Sequence, residues 1–256
     1  MQVSYFKALW GMDMPVKDAV PLVLAAGFDG IEAPLGQIQE ARAAGYTGPA
    51  IAMLFGEDAK KLAADLPACA AVRATKVTVH AGTEYWDFEK GSSFLKEFLP
   101  AVADSGLEVN IETHRGRLLF DPSSTVKLLE AFPQLHVCAD LSHWTCVCGN
   151  MLEAYDEALK LVATRTRHIH ARVGHTEGPQ VPDPRAAHWK WAVDRFVSIW
   201  TDMKVAAEKR GDTVLTVDPE FGPPNYLWTN VSDGKPVVDL FEVCVWMRDE
   251  LKRRWA

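Results

Sequence analysis

A chain of 256 residues, 48% hydrophobic and 24% charged, can bury a sizeable core, which excludes a disordered protein and leaves one large domain or two small ones. Its formal charge of −7, with the basic residues scattered, argues against nucleic-acid binding through clustered Lys and Arg. Five cysteines with no CxxC pair suggest neither a disulfide framework nor a zinc knuckle, so free thiols in a reducing cytosol are expected.

Short strand-like runs alternate with longer helix-like runs, the rhythm of parallel βα units. Eight strands are expected, at residues 4–9, 29–33, 50–54, 76–80, 108–113, 136–141, 168–173 and 214–220, each followed by a helical segment. The first helix, residues 15–26, ends on Gly27 and carries Pro21, which predicts a bend or a delayed start. Residues 57–74 place Leu62, Ala63, Leu66 and Ala70 at helical spacing, a face for packing on the sheet. Residues 174–187, with Gly178, Pro179, Pro182 and Pro184, read as a long loop after the seventh strand. The last helix, residues 237–252, is apolar around much of its surface through Phe241, Val245 and Trp246, so deep burial and a homo-oligomer contact are both open readings.

No linker or composition shift divides the chain, so residues 1–256 are expected to form one (β/α)8 TIM barrel. No export signal or membrane span is read from the sequence, and the expectation is a cytoplasmic protein without a membrane partner.

In such a barrel, active sites gather at the C-terminal ends of the strands. Six expected strands finish on an ionisable group: Glu32, His80, Glu112, Asp140, His170 and Glu220. Any one of these is commonly a solvated loop residue. Several converging carboxylates, however, repel one another unless a cation neutralises them, so the set implies a bound divalent metal. Mixed oxygen and nitrogen ligands suit manganese, magnesium, cobalt or zinc.

The order and spacing of Gly27-Phe28-Asp29-Gly30-Ile31-Glu32, Ile111-Glu112-Thr113-His114, Asp140-Leu141-Ser142-His143, His168-Ile169-His170 and Asp218-Pro219-Glu220 resemble the xylose isomerase-like TIM barrels over essentially the whole chain. That family, which shares its superfamily with AP endonuclease family 2, includes sugar isomerases, ketose 3-epimerases, inosose dehydratases and endonuclease IV. The resemblance implies one divalent ion, manganese foremost, held by Glu112, Asp140, His170 and Glu220. It also implies that Glu112 and Glu220 serve as proton-transfer bases acting through a metal-stabilised enediolate on a sugar, polyol or keto-acid. His143, three residues after Asp140, would contact a substrate oxygen or a second metal. His168, one layer deeper than His170, is expected to be a hydrogen-bonded core residue.

Two positions depart from the epimerase pattern: Leu118 stands where a second Glu is usual, and Thr176 where an Arg is usual. Arg172 is a candidate substrate contact in its place, or else an ion-paired rim residue. Arg115 and Arg117 are placed either to meet an acidic substrate group or to pair with nearby acids. Glu32 and His80 are further candidates for substrate binding. Of the nine tryptophans, Trp10, Trp86 and Trp144 fall at or beyond strand ends, where an indole could stack on a sugar.

No P-loop and no phosphate-gripping Gly pair after the eighth strand is found, which favours an unphosphorylated, carbohydrate-like small molecule. A lyase or dehydratase using the same metal and base is the alternative. An endonuclease IV-like phosphodiesterase fits less well, because Arg185 stands where that activity places a His beside Asp183 and the third strand has none. A non-catalytic, metabolite-binding barrel is the remaining reading.

Overall fold

A computed structural model describes all 256 residues. Its eight strands are β1 (Gln2–Ala8), β2 (Gly30–Pro34), β3 (Ala50–Gly56), β4 (Lys76–Ala81), β5 (Val109–Glu112), β6 (Val137–Ala139), β7 (Thr166–His170) and β8 (Val214–Asp218). They pair in sequence order, all parallel, and β8 closes on β1. Between them run α1 (Val16–Ala25), α2 (Leu35–Ala43), α3 (Ala59–Ala71), α4 (Phe88–Ser105), α5 (Pro122–Ala131), α6 (Ser142–Cys148), α7 (Asp156–Arg165) and α8 (Lys190–Arg210), with α9 (Leu240–Arg254) last. The expected (β/α)8 barrel is therefore the observed fold.

Alternation along each strand divides the side chains into two sets. Ile31, Val77, Val79, Ile111, Ile169 and Val217 turn outward and join Leu62, Leu66, Phe98, Val162, Phe196 and Trp200 in a core of 61 residues between sheet and helices. The opposite face fills the barrel with mostly polar groups, held level by the register pairs Thr78↔Asn110, Glu112↔Cys138, Cys138↔His168 and His168↔Thr216. Gly30 is required where β2 crosses β1, since a Cβ there would lie 2.4 Å from the Pro49 carbonyl and 2.7 Å from the Phe6 ring.

On the site side β1 and β5 to β8 end earlier than expected, whereas β2, β3 and β4 run one or two residues further. Past Ala139 the ladder gives way, and the Asp140 amide donates to Thr113 Oγ1 at 2.8 Å instead. Asp140 and Glu220 thus stand on loops just beyond their strands. Pro21 neither delays nor ends α1, because the carbonyl it leaves without a donor belongs to Lys17, on the exposed side and open to water. The last helix uses its apolar surface within the chain: Val243, Met247 and Leu251 are buried, and Phe241 meets Phe28 at 6.5 Å between centroids. All five cysteines are free, and no helix is long and apolar enough to cross a membrane.

Candidate metal centre and active site

β5, the turn after β6, β7 and the turn after β8 bring Glu112, Asp140, His170 and Glu220 together, all buried, with one ligand atom of each within 4.8 Å of the others. His170 Nδ1 lies 3.4 Å from Glu112 Oε1 and 3.4 Å from Glu220 Oε2. Atoms that share a divalent ion at about 2.1 Å sit about 3.0–3.5 Å apart, so the donor set and its spacing fit such an ion.

Beneath the cradle, Glu32 is wholly buried. Its Oε1 accepts from Thr78 Oγ1 at 2.6 Å, while Oε2 lies 2.7 Å from His168 Nε2 and 3.2 Å from His170 Nε2. Once His170 gives up one proton to an ion, a carboxylate at that place would favour keeping the other on Nε2 and leave the Nδ1 lone pair toward the cradle. Glu32, expected as a substrate contact, is buried beneath His170 and does not line the cavity above the cradle. His168 is the hydrogen-bonded core residue expected, its Nδ1 facing the Thr216 carbonyl at 3.0 Å. Cys138, His168 and His170 also cluster, but His168 is engaged at both nitrogens, and burial pushes the Cys138 thiol far up, leaving it protonated.

Charge in the cradle is balanced by neighbours. Burial alone would raise the Glu112 carboxyl, but His80 and His170 hold it well below the usual carboxylate range. Glu220 is likewise lowered, burial being outweighed by His170 and Arg172. Asp140 moves the other way: burial, with Glu112 and Glu220 facing it, pushes its carboxyl up to about 6 against the pull of Arg172. Burial opposes a charge on His170, yet the Glu220 and Glu32 carboxylates around it raise it well above an ordinary imidazole.

Arg172 is 1% exposed, and its Nη2 contacts Asp140 Oδ2, reaches His143 Nε2 at 2.9 Å and lies 3.5 Å from Glu220 Oε2. Asp140 Oδ1 is taken by Ser142, through its amide at 3.1 Å and its hydroxyl at 2.5 Å. A carboxylate oxygen has two lone pairs, so Asp140 Oδ2 can meet both Arg172 and an ion. The rim ion pair considered for Arg172 is in fact a buried one, made with two members of the cradle.

Above the cradle opens a cavity of about 240 Å³. Glu112, Glu220, His80 and Arg172 line its polar side, and Trp10, Phe55 and Tyr226 form aromatic wall. His80 Nε2 lies 2.7 Å from Glu112 Oε2, its ring stacked on Phe55 at 4.5 Å. Trp10 meets Tyr226 edge-on at 5.1 Å and rests against Gly222, where a Cβ would fall 2.2 Å from the indole. Gln180 secures that loop by bonding both the amide and the carbonyl of Gly222, at 2.6 and 3.0 Å.

His80, Arg172 and Trp10 thus line the cavity as expected from their strand ends. His143 is fully buried behind Arg172, with its ring 3.9 Å from that of His114. Trp144 and Trp86 do not line this cavity. The Trp144 ring is wholly buried, its Nε1 donating to the Leu119 carbonyl at 3.0 Å, and Trp86 packs on Gly82 and Phe94. Trp144 is turned inward beneath the chain, whereas Trp86 is half-buried on the outer side of the barrel, under Lys90 at 5.4 Å. Leu118 packs against Gly82 and Gly91, and Asp183 pairs with Arg185 at 2.9 Å rather than with any histidine.

Five cavity residues carried no assigned role in the sequence: Pro34, Met53, Phe55, His114 and Tyr226. His114 stood within the quoted strand-five motif and offered a signal. Burial lowers it to about 4, so it presents a neutral imidazole. Tyr226 lies in an irregular loop after β8 with no pattern to mark it.

No family model matches the chain, and no curated protein does. Solved structures do. A probable 3-DHS dehydratase involved in petrobactin synthesis from Bacillus anthracis superposes with a TM-score of 0.62 at 14% identity, covering 99% of each chain. A 3-keto-D-glucoside 4-epimerase from E. coli gives 0.59 at 14% identity, over 98% of this chain and 100% of that one. A xylose isomerase domain protein from Alicyclobacillus acidocaldarius gives 0.57 at 13% identity, over 98% and 97%. The chain accordingly has the fold of the xylose isomerase-like TIM barrels.

Proposed function

We propose that this protein is a divalent-metal-dependent isomerase or epimerase of a sugar or a related polyol or keto-acid, with manganese the expected ion. The observation that carries this reading is the cradle itself: Glu112, Asp140, His170 and Glu220 converge on one point at the floor of a cavity large enough for one small ring. A divalent ion held there would withdraw electron density from adjacent carbonyl and hydroxyl oxygens and acidify the C–H between them. Glu112 and Glu220, both kept ionised by their neighbours, are the bases that remove and return that proton. Trp10 and Phe55 offer flat apolar surface for the C–H face of a ring, and Glu32 holds His170 in position from below.

A lyase reading is supported by one contact, His80 Nε2 at 2.7 Å from Glu112 Oε2. An elimination needs a proton for the departing hydroxyl, and an imidazole beside the base at the cavity wall can deliver it. Both reactions begin with the same C–H abstraction. The test is a screen of sugars, inososes and 3-keto-glycosides in deuterated water with added manganese, comparing wild type with Glu220→Gln. Deuterium at the abstracted carbon with conserved product mass indicates isomerisation, and loss of water indicates the lyase. Turnover with no solvent deuterium in any product would exclude proton transfer.

A further inference from the structure

We propose that the substrate carries a carboxylate and that Arg117, with the free edge of Arg172, is the group that reads it. The inference rests on taking the cavity above the cradle as the substrate site. Arg117 lines that cavity, is half-buried, and forms no ion pair; its nearest polar partner is the Gly82 carbonyl at 3.5 Å from Nη1. Arg115, exposed at the same rim, also lacks a carboxylate partner and lies over the Tyr226 ring at 5.1 Å. Of the two readings the sequence left open for this pair, partnering by nearby acids is thereby removed.

A second, independent feature points the same way. Arg172 spends Nε on Ser142 Oγ and Nη2 on Asp140 and His143, but its Nη1 is buried without any hydrogen-bond partner. An orphaned guanidinium N–H in a buried residue is costly unless something else satisfies it. Arg172 lines the cavity, with Tyr226 at 4.8 Å and Trp10 at 5.9 Å over its face.

The charge count agrees. Three carboxylates in the cradle would be neutralised by a divalent ion together with Arg172, which would leave Arg117 as surplus positive charge. The planar fork of a guanidinium matches a carboxylate in two parallel hydrogen bonds, and the small volume suits a single six- or seven-carbon acid better than a phosphorylated sugar.

The test is calorimetric titration of the magnesium-loaded protein with matched probes: D-glucuronate against D-glucose, cyclohexanecarboxylate against cyclohexylmethanol, and glucose 6-phosphate. Wild type should bind each acid at least about tenfold more tightly than its neutral partner, the lower end expected for hydrogen bonds to a charged group. R117Q should reduce that preference to under about threefold with an unchanged melting temperature, and R117K should restore part of it. Acids that bind no better than their neutral partners, including a complete lack of binding, overturn the proposal, as does a preference that survives in R117Q. Tighter binding of glucose 6-phosphate than of glucuronate overturns the choice of carboxylate. Because the readout is binding, it is separable from the chemistry: selective acid binding without proton exchange would sink the proposed reaction and leave this assignment standing.

Discussion

Replacing Glu32 with Gln changes one charge and almost no volume, and it isolates what the residue beneath the cradle does. In the wild type, Glu32 Oε2 faces His168 Nε2 at 2.7 Å and His170 Nε2 at 3.2 Å. A neutral amide still accepts from His168 but no longer favours the tautomer that frees His170 Nδ1 for an ion. Loss of such an outer partner weakens metal affinity by about tenfold to hundredfold, or about 1.4–2.7 kcal/mol. Exchanging a charged for a neutral acceptor inside the barrel costs a further ~1–2 kcal/mol of folding stability, a fall of about 2–8 °C in melting temperature for a chain this long. Manganese titration calorimetry reads the first effect and thermal denaturation of the metal-free protein reads the second. An E32Q protein that binds manganese within about twofold of wild type would refute the role given to Glu32.

Trp144→Phe should cost ~1–3 kcal/mol in denaturant unfolding, through the lost bond to the Leu119 carbonyl and the small void left behind. Metal and probe binding should not change, whereas weakened probe binding at unchanged stability would return Trp144 to the substrate site. Gly222→Ala places a methyl 2.2 Å from the Trp10 ring and should destabilise by ~1–3 kcal/mol while loosening the cavity wall; wild-type stability would mean that Trp10 does not rest there. Metal affinity should depend on pH. His170, raised well above an ordinary imidazole, holds a proton that the ion must displace, and Asp140, up to about 6, adds a second below that pH. Binding therefore releases protons and tightens as pH rises, by about tenfold per pH unit for each proton released. Calorimetry in buffers of different ionisation enthalpy measures the count, and a flat affinity between pH 6 and 8 would contradict it.

The barrel was legible because its signals are local and repeated: most strands are short runs rich in apolar residues and most helices longer periodic ones. The cradle was legible for a related reason, since alternation in a parallel barrel carries Glu112, His170 and their neighbours to one end whatever the loops do. What escaped the sequence depends on loop paths. Trp86 and Trp144 face away from the cavity, Trp86 onto Gly82 and Trp144 onto the Leu119 carbonyl. Tyr226 enters the cavity from an irregular segment with no periodicity to read. Glu32 shares a strand-end position with cavity residues, yet His168 and His170 on β7 close over it, a long-range contact that no local pattern encodes.

The central claim is that Glu112, Asp140, His170 and Glu220 hold one divalent ion. Manganese titration of the chelator-treated protein, followed by calorimetry and electron paramagnetic resonance, tests it most directly. One site per chain is expected in the wild type, lost in His170→Ala and weakened at least about hundredfold in Glu220→Gln, with both variants folded by circular dichroism. A wild-type protein that takes up no manganese, magnesium, cobalt or zinc at millimolar concentration, or one whose uptake is unaffected in His170→Ala, would contradict the account.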